Sequence, residues 1–132
     1  MQNLDLARDY IKRAEIRIGA IEYLFQKESW PDVVRESQET VELALKALLR
    51  SHGIEVPRVH DVSKVIEENS ARLPKSLDLE KLSEISKELR RDREIAFYGS
   101  EDLTPSEFYS KKDGKKALDY AQYVVNAVKQ FI

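Results

Sequence analysis

Three arginines, Arg90, Arg91 and Arg93, fall within four positions of one another, just ahead of the aromatic pair Phe97-Tyr98 and Gly99. A guanidinium is planar, permanently charged and able to grip a phosphate or carboxylate with two parallel hydrogen bonds. Clustering such groups is costly unless something anionic answers them. The plain alternative is a solvated helix face on which Glu88, Asp92 and Glu94 pair with the arginines, helped by the negative end of the helix dipole.

Other residue types that could do chemistry offer less. Glu36, Glu39 and Glu42 could hold a metal inside a helical bundle, but no Glu-x-x-His pattern accompanies them, so they are expected to form a wet face or to answer arginines from another helix. His52 is expected to lie exposed near a helix end, where a partly positive imidazole suits the dipole. A lone His60 with no acid near it in sequence is expected to be structural. Trp30 beside Pro31 reads as a packing anchor at one end of the fold. Neither a metal nor a cofactor is expected.

Composition narrows the classes further. The 132 residues suit one domain, residues 1–132, with a single core. A net charge of −2 argues against a general polyanion-binding surface, so any nucleic-acid contact must be a local patch. The chain has no cysteine, which excludes disulfides and thiolate metal sites, and only two histidines. No apolar run approaches the ~20 residues needed to cross a bilayer, and the N-terminus is not shaped as a signal peptide. A soluble, cytoplasmic protein is expected. The charged fraction of 35%, with one Met and no Cys, resembles that of heat-adapted proteins and leans modestly towards a thermophile, the plain alternative being any charged helical bundle.

The elements that must position the arginines are helical. Leu4, Ala7, Ile11, Ala14, Ile18, Ile21 and Phe25 alternate steps of three and four, the seam of a long amphipathic helix. Lys27-Glu28-Ser29 breaks it, and Ser29-Trp30-Pro31 starts a second helix whose face carries Val34, Ser37, Val41, Ala44 or Leu45, and Leu48. Gly53 closes that helix and Pro57 interrupts the loop after it. Asp61 is placed to cap a short helix containing Val62, Val65 and Ile66. After a break at Leu73-Pro74-Lys75-Ser76, a helix on Leu79, Leu82, Ile85 or Ser86, and Leu89 delivers the arginines in its last turns and stops at Gly99. Thr104-Pro105-Ser106-Glu107 has the form of a capping box. Lys111 to Gly114 is expected to be a kink or short break before a last helix on Ala117, Ala121, Val124, Val128 and Phe131. The expected fold is all-α: an antiparallel up-and-down four-helix bundle with a short extra helix.

Glu36 through Leu49, then Gly53, Pro57 and His60-Asp61-Val62, resembles the second helix and following turn of HEPN domains. The arginine-rich stretch ending in Phe97-Tyr98-Gly99, followed by Thr104-Pro105, resembles the second half of the prokaryotic, nucleotidyltransferase-associated form. The resemblance spans essentially the whole chain, and its specificity lies in the order and spacing of loose motifs. It implies a helical homodimer acting beside a minimal nucleotidyltransferase, often as a toxin–antitoxin pair in which the HEPN protein is a metal-independent ribonuclease. The family's active motif is Arg, four to six residues, then His, with two copies meeting across the dimer. The Arg would hold the scissile phosphate, and the His would exchange protons as the ribose 2′-hydroxyl attacks.

Here Tyr98 stands in the histidine slot, with four residues between it and Arg93 and six between it and Arg91. On an unbroken helix Arg91 and Tyr98 share a face, whereas Arg93 and Tyr98 do not. A free phenol, with a pKa near ~10, donates a hydrogen bond but is a poor general base. Arg91, Arg93 and Arg90 are the candidate phosphate ligands; Arg93, Arg91 and Tyr98 are the candidate catalytic set. Tyr98 also has the plain reading of a packed aromatic with its hydroxyl at the surface. The leading expectation is a module that binds RNA or nucleotide phosphate and works with a nucleotidyltransferase. The alternatives are an active metal-independent endoribonuclease and a purely structural protein-interaction module.

Overall fold

The apolar seams become four long helices and two short ones. The computed structural model describes residues 4–56, 58, 61–99 and 102–132, without the side chains of residues 93–95 and 97. Pro57, His60 and the side chain of Arg93 therefore lie outside the described residues. Helix α1 is Leu4–Gln26, α2 Trp30–Ser51, α3 Val62–Glu68, α4 Leu79–Tyr98, α5 Pro105–Phe108 and α6 Lys111–Lys129, with a 3-10 turn at Ser70–Arg72. Among the described residues there is no strand, and no helix is long and apolar enough to cross a membrane.

The contacts fix an up-and-down course. Going backward along α1 and forward along α2, Phe25 meets Trp30, Arg17 meets Glu39, and Tyr10 meets Arg50, so the two run antiparallel. Lys81 sits over the Tyr123 ring, Glu88 takes Lys116 and Tyr120, and Tyr109 reaches Asp92, so α4 and α6 are antiparallel too. Helix α2 packs against α1, α4 and α6 and carries the largest share of the core. Its buried side chains include Val33, Val34, Val41, Leu45, Leu48 and Leu49.

Each helix end has a local cause. At the end of α1, Glu28 N–H donates to Phe25 O at 3.0 Å and Ser29 N–H to Leu24 O at 3.1 Å. This is the paired closure that needs a left-handed residue, and Glu28 takes it at φ 59°. The end of α2 repeats the motif with Gly53 at φ 73°, where Ile54 N–H reaches Leu49 O at 2.9 Å. Both Ile54 and Leu49 are buried, the apolar contact that accompanies this cap. Arg72 adds donors to the His52 and Gly53 carbonyls, each at 3.3 Å. Asp61 caps α3 by accepting from Ser63 N–H at 3.0 Å.

The chain after α4 departs from the expected course at one place. Thr104 does cap a helical turn begun by Pro105, accepting from Glu107 N–H at 3.2 Å. That turn ends at Phe108, and the break lies at Tyr109-Ser110 rather than at Lys111 to Gly114. The Asp113 carboxylate accepts from Ser110 N–H at 2.8 Å, which starts α6 at Lys111. Gly114 is therefore a helical residue, and its function is to let Trp30 in: a Cβ there would stand 2.8 Å from Trp30 Cε3. Trp30 is the bundle-end anchor expected, held between the Phe25 ring, 5.0 Å away by centroids, and the first turn of α6.

Two substitutions test these causes in opposite directions. Gly114→Ala gains about 1 kcal/mol of helix propensity but drives a methyl into the indole, at roughly 1–3 kcal/mol. The expected net loss is about 1 kcal/mol. Glu28→Gly relieves a left-handed side chain and is expected to gain about 0.5–1 kcal/mol. Urea melts of both variants check the pair. A stabilised Gly114→Ala protein would mean that Trp30 is not held as described.

Candidate phosphate-binding site

Helix α4 continues without a break through Tyr98, so the condition for aligning Arg91 with Tyr98 is met. Seven residues return the helix to within about 20° of the same direction. Arg91 is exposed, and Tyr98 is 74% exposed. Arg90 takes another direction. Its guanidinium lies 3.8 Å from the Glu42 carboxylate on α2, which Lys46 also approaches at 3.7 Å. The acids of α2 thus answer cations from three helices, since Glu39 meets Arg17 at 3.4 Å and Arg35 at 3.6 Å. The helix separates the three arginines: Arg91 shares a face with Tyr98, Arg90 turns to α2, and Arg93 is described only in its backbone.

Gly99 sets the course of the chain beyond Tyr98. It sits at φ 84°, in the left-handed region, and a Cβ there would stand 2.7 Å from Leu103 O and 2.8 Å from Pro105 Cδ. Both the conformation and the space demand glycine. The returning segment is therefore pressed against the end of α4, which brings α5 and the start of α6 beside the arginine helix.

The seam between α4 and α6 holds a polar cluster that sequence patterning did not single out. Tyr120 Oη donates to Glu88 Oε2 at 2.8 Å, and Lys116 Nζ donates to Glu88 Oε1. Tyr109, buried at 5% exposure, donates its hydroxyl to the Asp92 carbonyl at 3.0 Å. A cavity of about 60 Å³ lies among Glu88, Asp92, Tyr109, Lys116 and Tyr120. Burial pushes the Glu88 carboxyl up, but hydrogen bonds from Lys116 and Tyr120 and the charges of Lys116 and Arg91 bring it below its ordinary value. Asp92 goes the other way. Burial and then the charge of Glu88 raise its pKa, with Arg91 pulling against them. Tyr109 is pushed up by burial, then by Asp92 and Asp113. The pattern is hidden in the sequence because acids and lysines at helical spacing look like a solvated face. Only the packing of α6 on α4 shows them facing each other.

His52 is half-buried rather than exposed, and its Nδ1 lies 2.9 Å from the Leu48 carbonyl oxygen at the end of α2. In the tautomer protonated at Nδ1 the ring donates to this end carbonyl, which also accepts from Ser51 Oγ at 2.8 Å.

Known proteins share this architecture. A family model described as "HEPN domain" matches residues 7–131. The Methanocaldococcus jannaschii protein named Putative toxin MJ1304 is 32% identical, over 98% of this chain and 90% of its own length. The crystal structure of TT1696 from Thermus thermophilus superposes with a TM-score of 0.76 at 23% identity, covering 96% of this chain and 98% of that one. At that identity it shows a shared fold.

The two carboxyls on α4 predict opposite pH behaviour. The folded Asp92 pKa is raised, so its charged form opposes folding above that pKa and the penalty vanishes as pH falls. Asp92→Asn is expected to raise the melting temperature at pH 7, with the gain fading at acid pH. The folded Glu88 pKa is lowered, so its stabilisation is present above the unfolded value and is lost as pH falls through the folded one. Glu88→Gln is expected to cost roughly 1 kcal/mol at pH 7, since the carboxylate is only partly buried. Melts between pH 3 and 8 check both. Parallel curves for the two variants would contradict the assignment.

Proposed function

The chain belongs to the HEPN family, and from that premise we propose that it binds RNA or nucleotide phosphate through Arg91 and Arg93. It does so as a single-domain homodimer in the cytoplasm, paired with a minimal nucleotidyltransferase in a toxin–antitoxin-like system. The observation that carries the reading is the exposed alignment of Arg91 and Tyr98 on one face of α4. Kinship with a protein named as a toxin supports the biological setting. A guanidinium on an open face can approach a phosphate with two donors at once. Arg90, already beside Glu42, is the weaker third ligand.

Tyr98 decides between binding and cleavage. As a hydroxyl donor it can steady a phosphate oxygen beside Arg91. As a replacement for the family's histidine it would have to take the 2′-hydroxyl proton, for which a phenol is poorly suited at neutral pH. The reading is therefore a phosphate grip that has lost its usual proton-transfer group. The high exposure of Tyr98 favours one second reading: an active metal-independent endoribonuclease in which this side chain reaches the substrate directly.

The test is incubation of end-labelled, structured RNA with the purified protein in EDTA, beside Arg91→Ala, Arg93→Ala and Tyr98→Phe. The expected result is retention of RNA without cleavage, weakened roughly tenfold in Arg91→Ala. Products with cyclic-phosphate ends, lost in both Arg91→Ala and Tyr98→Phe, would replace this reading with the nuclease. A folded protein that holds neither RNA nor nucleotide, alone or with its nucleotidyltransferase, would end both.

A further inference from the structure

Three of the six large apolar or aromatic residues exposed among the described residues, Tyr98, Leu103 and Phe108, fall in the stretch that turns from α4 to α6. Phe108 is 44% exposed, and both its backbone and its ring make contacts. Its N–H donates to Thr104 O at 3.1 Å, and its ring meets the Tyr109 ring edge-on at 5.0 Å, 67° between planes. Tyr109 in turn is buried and bonded to the Asp92 carbonyl, one residue from Arg91. An aromatic face is thus fixed at the surface beside the candidate phosphate site.

Charge gathers at the same place. Lys111, Lys112, Lys115 and Lys116 crowd the first turns of α6, where the helix dipole disfavours cations. Two are answered: Lys115 lies 2.7 Å from Asp119, and Lys116 pairs with Glu88. Lys111 and Lys112 are exposed and pair with no acid among the described residues. Lys112 precedes Lys116 by four residues and so shares the face that Lys116 turns to α4. Because α4 and α6 run antiparallel, it stands one turn nearer the arginine end of α4.

We propose that Phe108, Lys111 and Lys112 form a second contact for single-stranded RNA, in which a base stacks on the Phe108 ring and the two lysines hold the flanking phosphates. The inference rests on the RNA reading of Arg91 and extends it from one phosphate to a short path along the strand. A fixed aromatic face beside unpaired cations is the general arrangement for holding a single strand without reading its sequence. An acidic protein segment could use the lysines but would gain nothing from the π face, so the ring favours nucleic acid.

The test is fluorescence anisotropy of a labelled single-stranded RNA across a salt series. It uses the full chain, Phe108→Leu, Phe108→Tyr, Lys111→Ala/Lys112→Ala and Arg91→Ala, each shown to be folded by circular dichroism. Phe108→Leu is expected to weaken binding about tenfold and Phe108→Tyr to leave it near the original. The double lysine variant is expected to reduce the slope of log K against log salt by about 1.4, which is about 0.7 for each phosphate no longer held. If Arg91→Ala weakens binding while the Phe108 and lysine variants do not, this contact is refuted and the Arg91 reading stands. If the Phe108 and lysine variants weaken binding while Arg91→Ala does not, the contact stands and the Arg91 reading falls. A charge effect without a Phe108→Leu effect overturns the stacking proposal, and no RNA binding at all overturns both.

Discussion

The burial of α2 on nearly all sides is the constraint on which the rest of the molecule depends. A helix enclosed by α1, α4 and α6 must be apolar or small around most of its circumference. The sequence meets this with Val33, Val34, Val41, Leu45, Leu48 and Leu49 among Ser37, Thr40, Ala44 and Ala47. The small residues let neighbouring helices approach. They also carry a cost: Ser37 Oγ, Thr40 Oγ1 and Gln38 Oε1 are buried without a hydrogen-bond partner among the described residues. Such atoms typically cost about 1–3 kcal/mol each, so the surrounding apolar packing has to outweigh them. Among the charged residues of α2, Glu39 and Glu42 take Arg17 from α1 and Arg90 from α4, while Glu36 pairs with Arg35 of the same helix.

That enclosure explains how the adjacent Arg90 and Arg91 come to do different things. Helix α4 packs against α2 and α3 and buries Leu82, Ile85 and Leu89, so its rotation is set by the core. Once the rotation is set, Arg90 must lean toward Glu42 and Arg91 must look out along the seam with α6. Neither outcome required a special feature at the arginines themselves. The distinctive residues lie beyond them: Gly99, whose missing Cβ makes room for Leu103 and Pro105, and Tyr109, which pins the returning chain to the Asp92 carbonyl.

Most of the fold was legible because heptad spacing survives any choice of partner helix. The seam of α1, the face of α2, the Asp61 and Thr104 caps and the stops at Gly53 and Gly99 all follow from local chemistry. The start of α6 was not, because a glycine three residues into a polar run looks like a break. Gly114 is instead a contact residue, and only the position of Trp30 reveals it. The site was half legible. The alignment of Arg91 with Tyr98 is simple helix arithmetic, but it says nothing about the groups that stand opposite. Glu88 and Asp92 lie on α4, Tyr109 just before α6, and Lys116 and Tyr120 on α6, and the two groups meet only through the antiparallel packing of α4 and α6. No spacing rule within one helix can register that.

The seam also limits how strongly Arg91 can hold an anion. Its charge already acts on the Glu88 and Asp92 carboxylates, so a phosphate arriving there competes with acids of the same helix. Lys116 and Tyr120 are committed to Glu88, which leaves that acid less able to attract Arg91 and the guanidinium freer for an outside ligand. Asp92 is less well served. Its raised pKa records the repulsion from Glu88 as well as its burial. An arginine balanced between one satisfied acid and one uncomfortable one would be a modest phosphate ligand by itself. On the proposed reading, affinity at this end of the molecule would have to come from several groups acting together, and the net charge of −2 would require them to be local. The packing of α5 and the first turn of α6 against the end of α4 is what supplies such neighbours.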